Sequence, residues 1–495
     1  MSFRKADIPG TTWVLPVLAL VTAVLAGMVT AAVGSRADYR AIYYVAVFAL
    51  GVLGCVVAVT RTEPLRFAFL ALIVCFPIAA EVVPPGRFGI TVFDVVMLTL
   101  TIGLIGEKLL GPSTAGGPLF PTGSLLIAWL LAVPCVVFSQ FPLSSLLVLG
   151  LSFTVYVFFL FTLDELRREG GFERLVLLLS IVSLVMAAGL LIDHFLHVNL
   201  TLRGRNLNQM TYLVGADIRR AGGFFQDPQK SGAFLACIIT FLLLLSIRDR
   251  FHGAKMRFVV WAAVGAGLAA LITTISRSAI LACLSVSGLA LLAFNGWNVA
   301  AKLAIAGSTA VLATVMALMP AETWLNIVPP AVSARFATMS EDLEIRRNIW
   351  FDTWDMFADH PLTGIGPGSF RSYLIETRPN VFNYYGIGTQ EGVAYIPDQP
   401  ESGYLKIFYE GGIIGSIAVL LAIGDAIRRA FAVIAGMDAG ARIEGIAALA
   451  GLVTFGATFV TLFTMTDPRI GGILAFLLAV IWHRSLQRAQ VTSKA

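Results

Sequence analysis

Apolar residues in this chain neither alternate nor keep to one helical face; they come in nearly unbroken blocks. The blocks lie near residues 11–34, 41–60, 66–83, 89–105, 123–138, 143–163, 174–192, 231–247, 258–275, 278–294, 303–320, 411–427, 445–463 and 470–483. Most are about 16 to 24 residues long, enough to cross a hydrocarbon core of roughly 30 Å. Within lipid each backbone N–H and C=O must find a partner inside its own segment, so such blocks are helices. The pattern predicts an all-α polytopic membrane protein of about 12 to 14 transmembrane helices.

Two polar stretches interrupt the blocks and set the organisation. N-terminal spans occupy 1–197, a first outer functional loop 198–230, and central spans with a Ser-Arg-Ser turn 231–320. A large, partly helical outer loop then covers 321–410, before the last three spans and a cytoplasmic tail at 411–495. Long ordered loops usually carry function. Within the large loop, EDLEIRRNIWFDTWDMFADHP places Trp350, Trp354 and Phe357 on one helical face. His360-Pro361 ends that helix, because the residue before proline is driven from the α region. LTGIGPGSF supplies a glycine-rich turn, and Glu410-Gly411-Gly412 marks the start of the next span.

Composition sharpens the picture. Hydrophobic residues make up 57% and charged residues 13%, about half the charge of a soluble domain. The first block is too long for a signal-peptide core and has no small-residue cleavage site, which makes it a retained anchor. Short loops of one parity hold about nineteen Lys and Arg against roughly ten in the others, which puts both termini in the cytoplasm. The net charge of +5 reflects that bias and implies no nucleic-acid partner. All five cysteines fall inside predicted spans, so neither a disulfide framework nor a cysteine metal site is expected. The chain contains no HExxH, P-loop, GxSxG or GxGxxG before a helix. Its first outer loop offers one acid, Asp38, where a metal-dependent lipid-linked transferase would want a pair. No metal and no cofactor are therefore expected. Mid-span charge is almost lacking, which weighs against an ion-coupled transporter.

Candidate chemistry gathers at the outer loops. Arg277, in TTISRSAILA, sits in a very tight outer turn. It is either an interface anchor or an anion clamp, since a guanidinium fork matches phosphate oxygens. Ser276 and Ser278 beside it could add donors. Arg220, in IRRAGGFFQDP, has the same two readings, with Arg219 as a competitor. Two such arginines at one membrane level would suit a lipid-linked diphosphate. Arg346 and Arg347 lie on the loop helix, as a solvated face or as ligands; His360 is a helix-end cap or a catalyst. Trp350 and Trp354 pack the loop or offer faces to sugar rings. Glu401 precedes Ser402-Gly403-Tyr404 where the loop re-enters the membrane, and a carboxylate there has its pKa pushed upward, which suits a general base. Tyr404 and Glu410 complete the candidate substrate-binding set, with Glu410 also read as structural.

Three signatures, RAGGFFQDPQKSGAFLA, TTISRSAILA and RRNIWFDTWDMFADHPLTGIGPGSF followed by YLKIFYEGGIIG, resemble the O-antigen ligase and polysaccharide polymerase superfamily of bacterial inner-membrane glycosyltransferases. The likeness covers roughly residues 218–425. It implies metal-independent, inverting transfer of a glycan from an undecaprenyl-diphosphate-linked oligosaccharide to an acceptor glycan hydroxyl at the periplasmic face. Arg220 and Arg277 would bind the diphosphate, and the large loop would bind the acceptor and supply the base. The bilayer, a chain-length regulator and a flippase are the further partners implied. Ligases of the family carry a His-Asn pair where this chain has Glu401-Ser402. That departure tilts the expectation toward a polymerase of exopolysaccharide or O-antigen units. A ligase acting on lipid A-core and a flippase of lipid-linked sugars are the alternatives.

Overall fold

The computed structural model describes residues 64–75, 77, 97, 100–102, 123–196, 220–225, 227–248, 250–251, 253–294, 350, 354, 357–377, 400, 402–461 and 467–492. Among these the regular structure is helical, with no strand: α1 Pro64–Cys75, α2 Gly123–Val137, α3 Pro142–Leu166, α4 Gly171–Leu196, a 3₁₀ turn Gly223–Phe225, α5 Pro228–Ile247, α6 Ala254–Thr273, α7 Arg277–Phe294, α8 Phe370–Thr377, α9 Gly403–Gly436, α10 Ala439–Phe459 and α11 Pro468–Thr492. Seven of these helices are long and apolar enough to cross a membrane. The chain is an all-α polytopic membrane protein. The expected spans at 11–34, 41–60 and 303–320 lie outside the described residues, as do large parts of those at 66–83 and 89–105.

Apolar side chains face both ways, as they should in lipid. Trp482, Phe158, Phe234 and Phe241 are buried between helices, while Phe258 and Leu420 are 74% and 66% exposed on the bundle's surface. Helix pairs α4–α6, α3–α11, α2–α9 and α5–α10 form the main packing contacts. Small polar groups join α5, α7 and α10 inside the bundle: Thr240 Oγ1 lies 3.4 Å from Ser287 and 3.2 Å from Thr454. Cys135, Cys237 and Cys283 are buried free thiols.

The two ends of the bundle differ. One gathers arginines around buried carboxylates. Glu165 binds Arg66 and Arg174, each at 2.6 Å, and Glu444 binds Arg250 at 2.7 Å and Arg484 at 2.5 Å. The other end carries the turn before α5, the α6–α7 turn and the glycine-rich segment before α8. We call it the site end.

One expectation changes. The sequence suggested a span over 411–427 beginning at Glu410-Gly411-Gly412. The helix instead starts at Gly403 and runs to Gly436, with a break at Gly412 (φ 58°, ψ −157°). An apolar-block reading starts a span at its first long apolar run. It misses an amphipathic turn stacked ahead of it.

Candidate functional site

At the site end, the stretch from Arg220 to Phe225 is pinned from several directions. Glycine-rich sequence cannot hold a shape by side-chain packing, so its backbone groups must be caught by others. Asp193, 5% exposed at the end of α4, accepts both the Gly222 and Gly223 N–H groups on Oδ2, each at 2.9 Å. Ser231 Oγ donates to the Gly222 carbonyl at 2.6 Å. Gly223 sits at φ 51°, a left-handed value that costs glycine little. Asp227 then caps α5, accepting from the Gln229 and Lys230 N–H groups, with Pro228 at the first helical position.

That pinned stretch runs against the α6–α7 turn. Ala221 N–H donates to the Thr273 carbonyl at 3.0 Å, and buried Arg220 Nε donates to the Thr274 carbonyl at 3.2 Å. The turn itself is strained: Ile275 has φ 48°, a left-handed value that is costly for a β-branched residue. Thr274 Oγ1 donates to the Leu271 carbonyl and accepts the Ser276 N–H. Gly232 lets α5 come close, since a Cβ there would stand 2.9 Å from Ser276 Cβ. Ser276 is 2% exposed, yet its hydroxyl has no hydrogen-bond partner among the described residues. It stands at the start of α7, where the helix N-terminus carries partial positive charge. Half-buried Arg277 opens α7 directly after it.

The last span closes the corner. Arg469 grips Asp467 bidentately, Nε to Oδ1 at 2.8 Å and Nη2 to Oδ2 at 2.6 Å. Burial alone would raise the Asp467 carboxyl. The charge and hydrogen bonds of Arg469, with the nearby charge of Lys230, outweigh that and hold it below the ordinary carboxylate value.

A second assembly lies on α9. Breaking a helix frees carbonyls before the break and N–H groups after it. The segment Pro361–Gly366 takes up both sets. The Ile365 and Gly366 N–H groups donate to the Tyr409 and Glu410 carbonyls, and the Ile413 and Ile414 N–H groups donate to the Pro361 and Leu362 carbonyls, all at 2.9 to 3.0 Å. Close approach requires glycine. A Cβ on Gly412 would meet Gly364 N at 2.5 Å, and one on Gly366 would strike the Ser139 hydroxyl. The α2–α3 turn clamps the other side, with Ser139 Oγ donating to the Ile365 carbonyl at 3.2 Å and Ser145 Oγ to the Pro367 carbonyl at 2.9 Å. We call this assembly the loop clip.

Residues 262–420 match the family model described as O-antigen ligase. That match, over about a third of the chain, supports membership of the O-antigen ligase and polymerase superfamily. No curated protein matches the chain. The matched stretch carries the Ser276–Arg277 turn and the loop clip apart from its Ser139 and Ser145 clamp. Arg220, Asp193 and the Arg469–Asp467 pair lie outside it, so the corner is completed by elements flanking the matched stretch.

The remaining candidates divide by location. Glu401, Arg219, Arg346 and Arg347 lie outside the described residues. Ser278 is half-buried in the first turn of α7. Trp350 Nε1 donates to the Pro400 carbonyl at 2.8 Å, and its own carbonyl accepts from Tyr409 Oη at 3.1 Å, which fixes the loop helix beside the residue preceding Glu401. Trp354 is 52% exposed and stacks on Phe408. His360 Nε2 stands 3.1 Å from the Gln140 side-chain amide, and the His360 carbonyl accepts the Gly364 N–H. Tyr404 points along the bundle, donating to the Gly456 carbonyl at 2.9 Å. Glu410 is occupied by the clip. Its carboxylate accepts the Gly368 and Phe370 N–H groups at 2.9 and 3.1 Å and pairs with buried Lys406 at 3.0 Å.

The sequence reading passed over Asp193, Ser139, Ser145, Gln140, Asp467 and Arg469. For Asp193, Asp467 and Arg469 a signal existed: ionisable residues at the ends of apolar blocks, which are seldom left there without a partner. For Ser139, Ser145 and Gln140 there is none, since a Ser-Gln pair between two spans and a serine inside the next one both read as ordinary.

Proposed function

We propose that this chain is a polysaccharide polymerase. It transfers a glycan from an undecaprenyl-diphosphate-linked donor to an acceptor glycan hydroxyl at the periplasmic face of the inner membrane, without a metal and with inversion. The observation that carries this reading is the hydrogen bond from Arg220 to the Thr274 carbonyl. It ties one candidate arginine to the strained turn that presents the orphaned Ser276 hydroxyl and the second arginine, Arg277.

In the reaction the acceptor oxygen forms a bond to the anomeric carbon while the bond from that carbon to the diphosphate oxygen breaks. The electron pair leaves with the diphosphate, and the acceptor proton passes to a base, for which Glu401 is the candidate. Arg220 and Arg277 neutralise the charge growing on the leaving group, with the Ser276 hydroxyl as a further donor. The acceptor side is held by the loop clip together with Trp350, whose bonds to Pro400 and Tyr409 tie it to the start of α9, next in sequence to Glu401. The arginine-rich opposite end supports a cytoplasmic placement of that face, and with it a periplasmic placement of the site end.

The description of the matched family as O-antigen ligase favours a second reading, transfer to lipid A-core. Glu401-Ser402 in place of a His-Asn pair favours the polymerase. A deletion strain separates them. Loss of a polymerase leaves single repeat units on the lipid carrier, whereas loss of a ligase leaves unattached polymer there. Full-length attached polymer in the deletion strain sinks both.

A further inference from the structure

Arg469 is spent in a way that a merely stabilising residue would not be. It is 8% exposed and its partner Asp467 is 9% exposed. A buried ion pair seldom stabilises more than apolar packing of the same size, because both charges give up their hydration. An apolar side chain could cover Phe225 as well. It could not do the rest. Arg469 Nη1 donates to the Phe224 carbonyl at 3.3 Å, and its guanidinium lies over the Phe225 ring, 3.7 Å from the centroid. Asp467 Oδ1 also accepts the Arg469 backbone N–H at 3.0 Å, which locks the carboxylate at the head of α11. All three guanidinium nitrogens therefore face Asp467 or Phe224, and the pair is neutral as a unit. This is the wiring of a strut; a phosphate ligand would keep its fork for the anion.

The strut ends on the 3₁₀ turn that directly follows Arg220-Ala221-Gly222. The same short stretch is held by Asp193 on α4, by Ser231 on α5 and by the Thr273 and Thr274 carbonyls at the end of α6. The last span thus supplies a further hold, at the Phe224–Phe225 end of the stretch. Without it the Phe224 carbonyl loses the Arg469 donor and the Phe225 ring loses the guanidinium over its face.

Resting on the reading of Arg220 as a donor-binding residue, we propose that the Arg469–Asp467 pair is a positioning device that sets Arg220 for the polyprenyl diphosphate. Arg469 acts through the Phe224 carbonyl and the Phe225 ring and does not touch the donor.

The test measures binding of undecaprenyl diphosphate to the purified full-length chain in detergent, alongside thermal stability. Arg469→Ala is expected to bind the probe about tenfold more weakly, the size of effect that orienting contacts behind a binding group produce. Arg469→Lys keeps the charge against Asp467 but cannot reach both oxygens and the Phe224 carbonyl together. It should restore thermal stability while leaving affinity low, a split that a purely structural residue would not show. If Arg469→Ala is too unstable to purify, Arg469→Lys carries the test alone. Wild-type affinity in Arg469→Lys, or in a folded Arg469→Ala, overturns the proposal. Arg277→Ala is the control: if it too binds like the wild type, the donor-site reading falls and takes the strut with it. If Arg277→Ala loses the probe and the Arg469 variants keep it, only the strut is wrong.

Discussion

The arginine corner and the loop clip share one end of the bundle but are made of opposite materials. In the corner, acidic and basic side chains hold the backbone: Asp193 takes two glycine N–H groups, and Arg469, paired with Asp467, donates to the Phe224 carbonyl. In the clip, the backbone holds itself, through four hydrogen bonds across the break at Gly412. A single carboxylate, Glu410, ties the glycine-rich turn to α9. The corner keeps a polar vacancy, the Ser276 hydroxyl, while the clip leaves Glu410 fully occupied. A donor in reserve suits the anion proposed for the corner. A region meant to hold a loop in place does better with none.

That contrast can be broken by mutation. Arg277→Ala should abolish polymer, since removal of one such donor costs about 3 kcal/mol or roughly a hundredfold in rate, while membrane abundance stays near wild type. Full-length polymer from Arg277→Ala cells would remove the corner's assignment. Gly412→Val should do the reverse and damage the protein before the chemistry. A β-branched residue is forced to a left-handed φ and into the Gly364 and Leu362 backbone, at a cost of about 3 kcal/mol or more. Reduced abundance and rapid proteolysis within 361–377 are the expected readouts; normal abundance would mean the clip is dispensable.

A subtler test uses pH. The Asp467 carboxyl is held below its ordinary value, so the ionised form is favoured by folding. Its contribution is complete above the unfolded value, about 4, and is lost as pH falls through the folded value. Thermal stability should therefore drop on acidification below the ordinary carboxylate range, and Asp467→Asn should flatten that part of the curve. A curve unchanged by the substitution would count against the pairing. The smallest effect belongs to Ile275→Gly, which relieves roughly 1 kcal/mol of left-handed strain. Stability should hold or rise slightly while transfer slows severalfold, because the turn presenting Ser276 and Arg277 loosens. A clear fall in melting temperature would show that Ile275 is held by packing alone.

These outcomes also mark what could be read from the chain beforehand. Block lengths disclosed α3 to α7 and α9 to α11, because a bilayer demands long apolar helices whatever their neighbours. Arg220 and Arg277 stood out as cations in turns on the arginine-poor side. The clip did not stand out, since its partners are far apart in sequence: Ser139 and Ile365 are 226 positions from each other. Glu410-Gly411-Gly412 reads as a helix boundary because glycine is a poor helix former and an apolar run follows it. Only the pairing with Pro361–Gly366 makes a mid-helix break affordable in a bilayer. Asp193 was hidden for a related reason, being one acid at the edge of a long apolar block.

The splice at Gly412 bears on any attempt to retarget the enzyme by exchanging loops. Residues 361–366 and 409–414 complete one another's hydrogen bonding, and Ser139 and Ser145 seat against the same segment. A graft cut at the apparent loop ends would leave half of that ladder behind in the recipient. The transferable cassette is instead discontinuous: the loop, the first turns of α9 through Ile414, and the α2–α3 corner have to travel together.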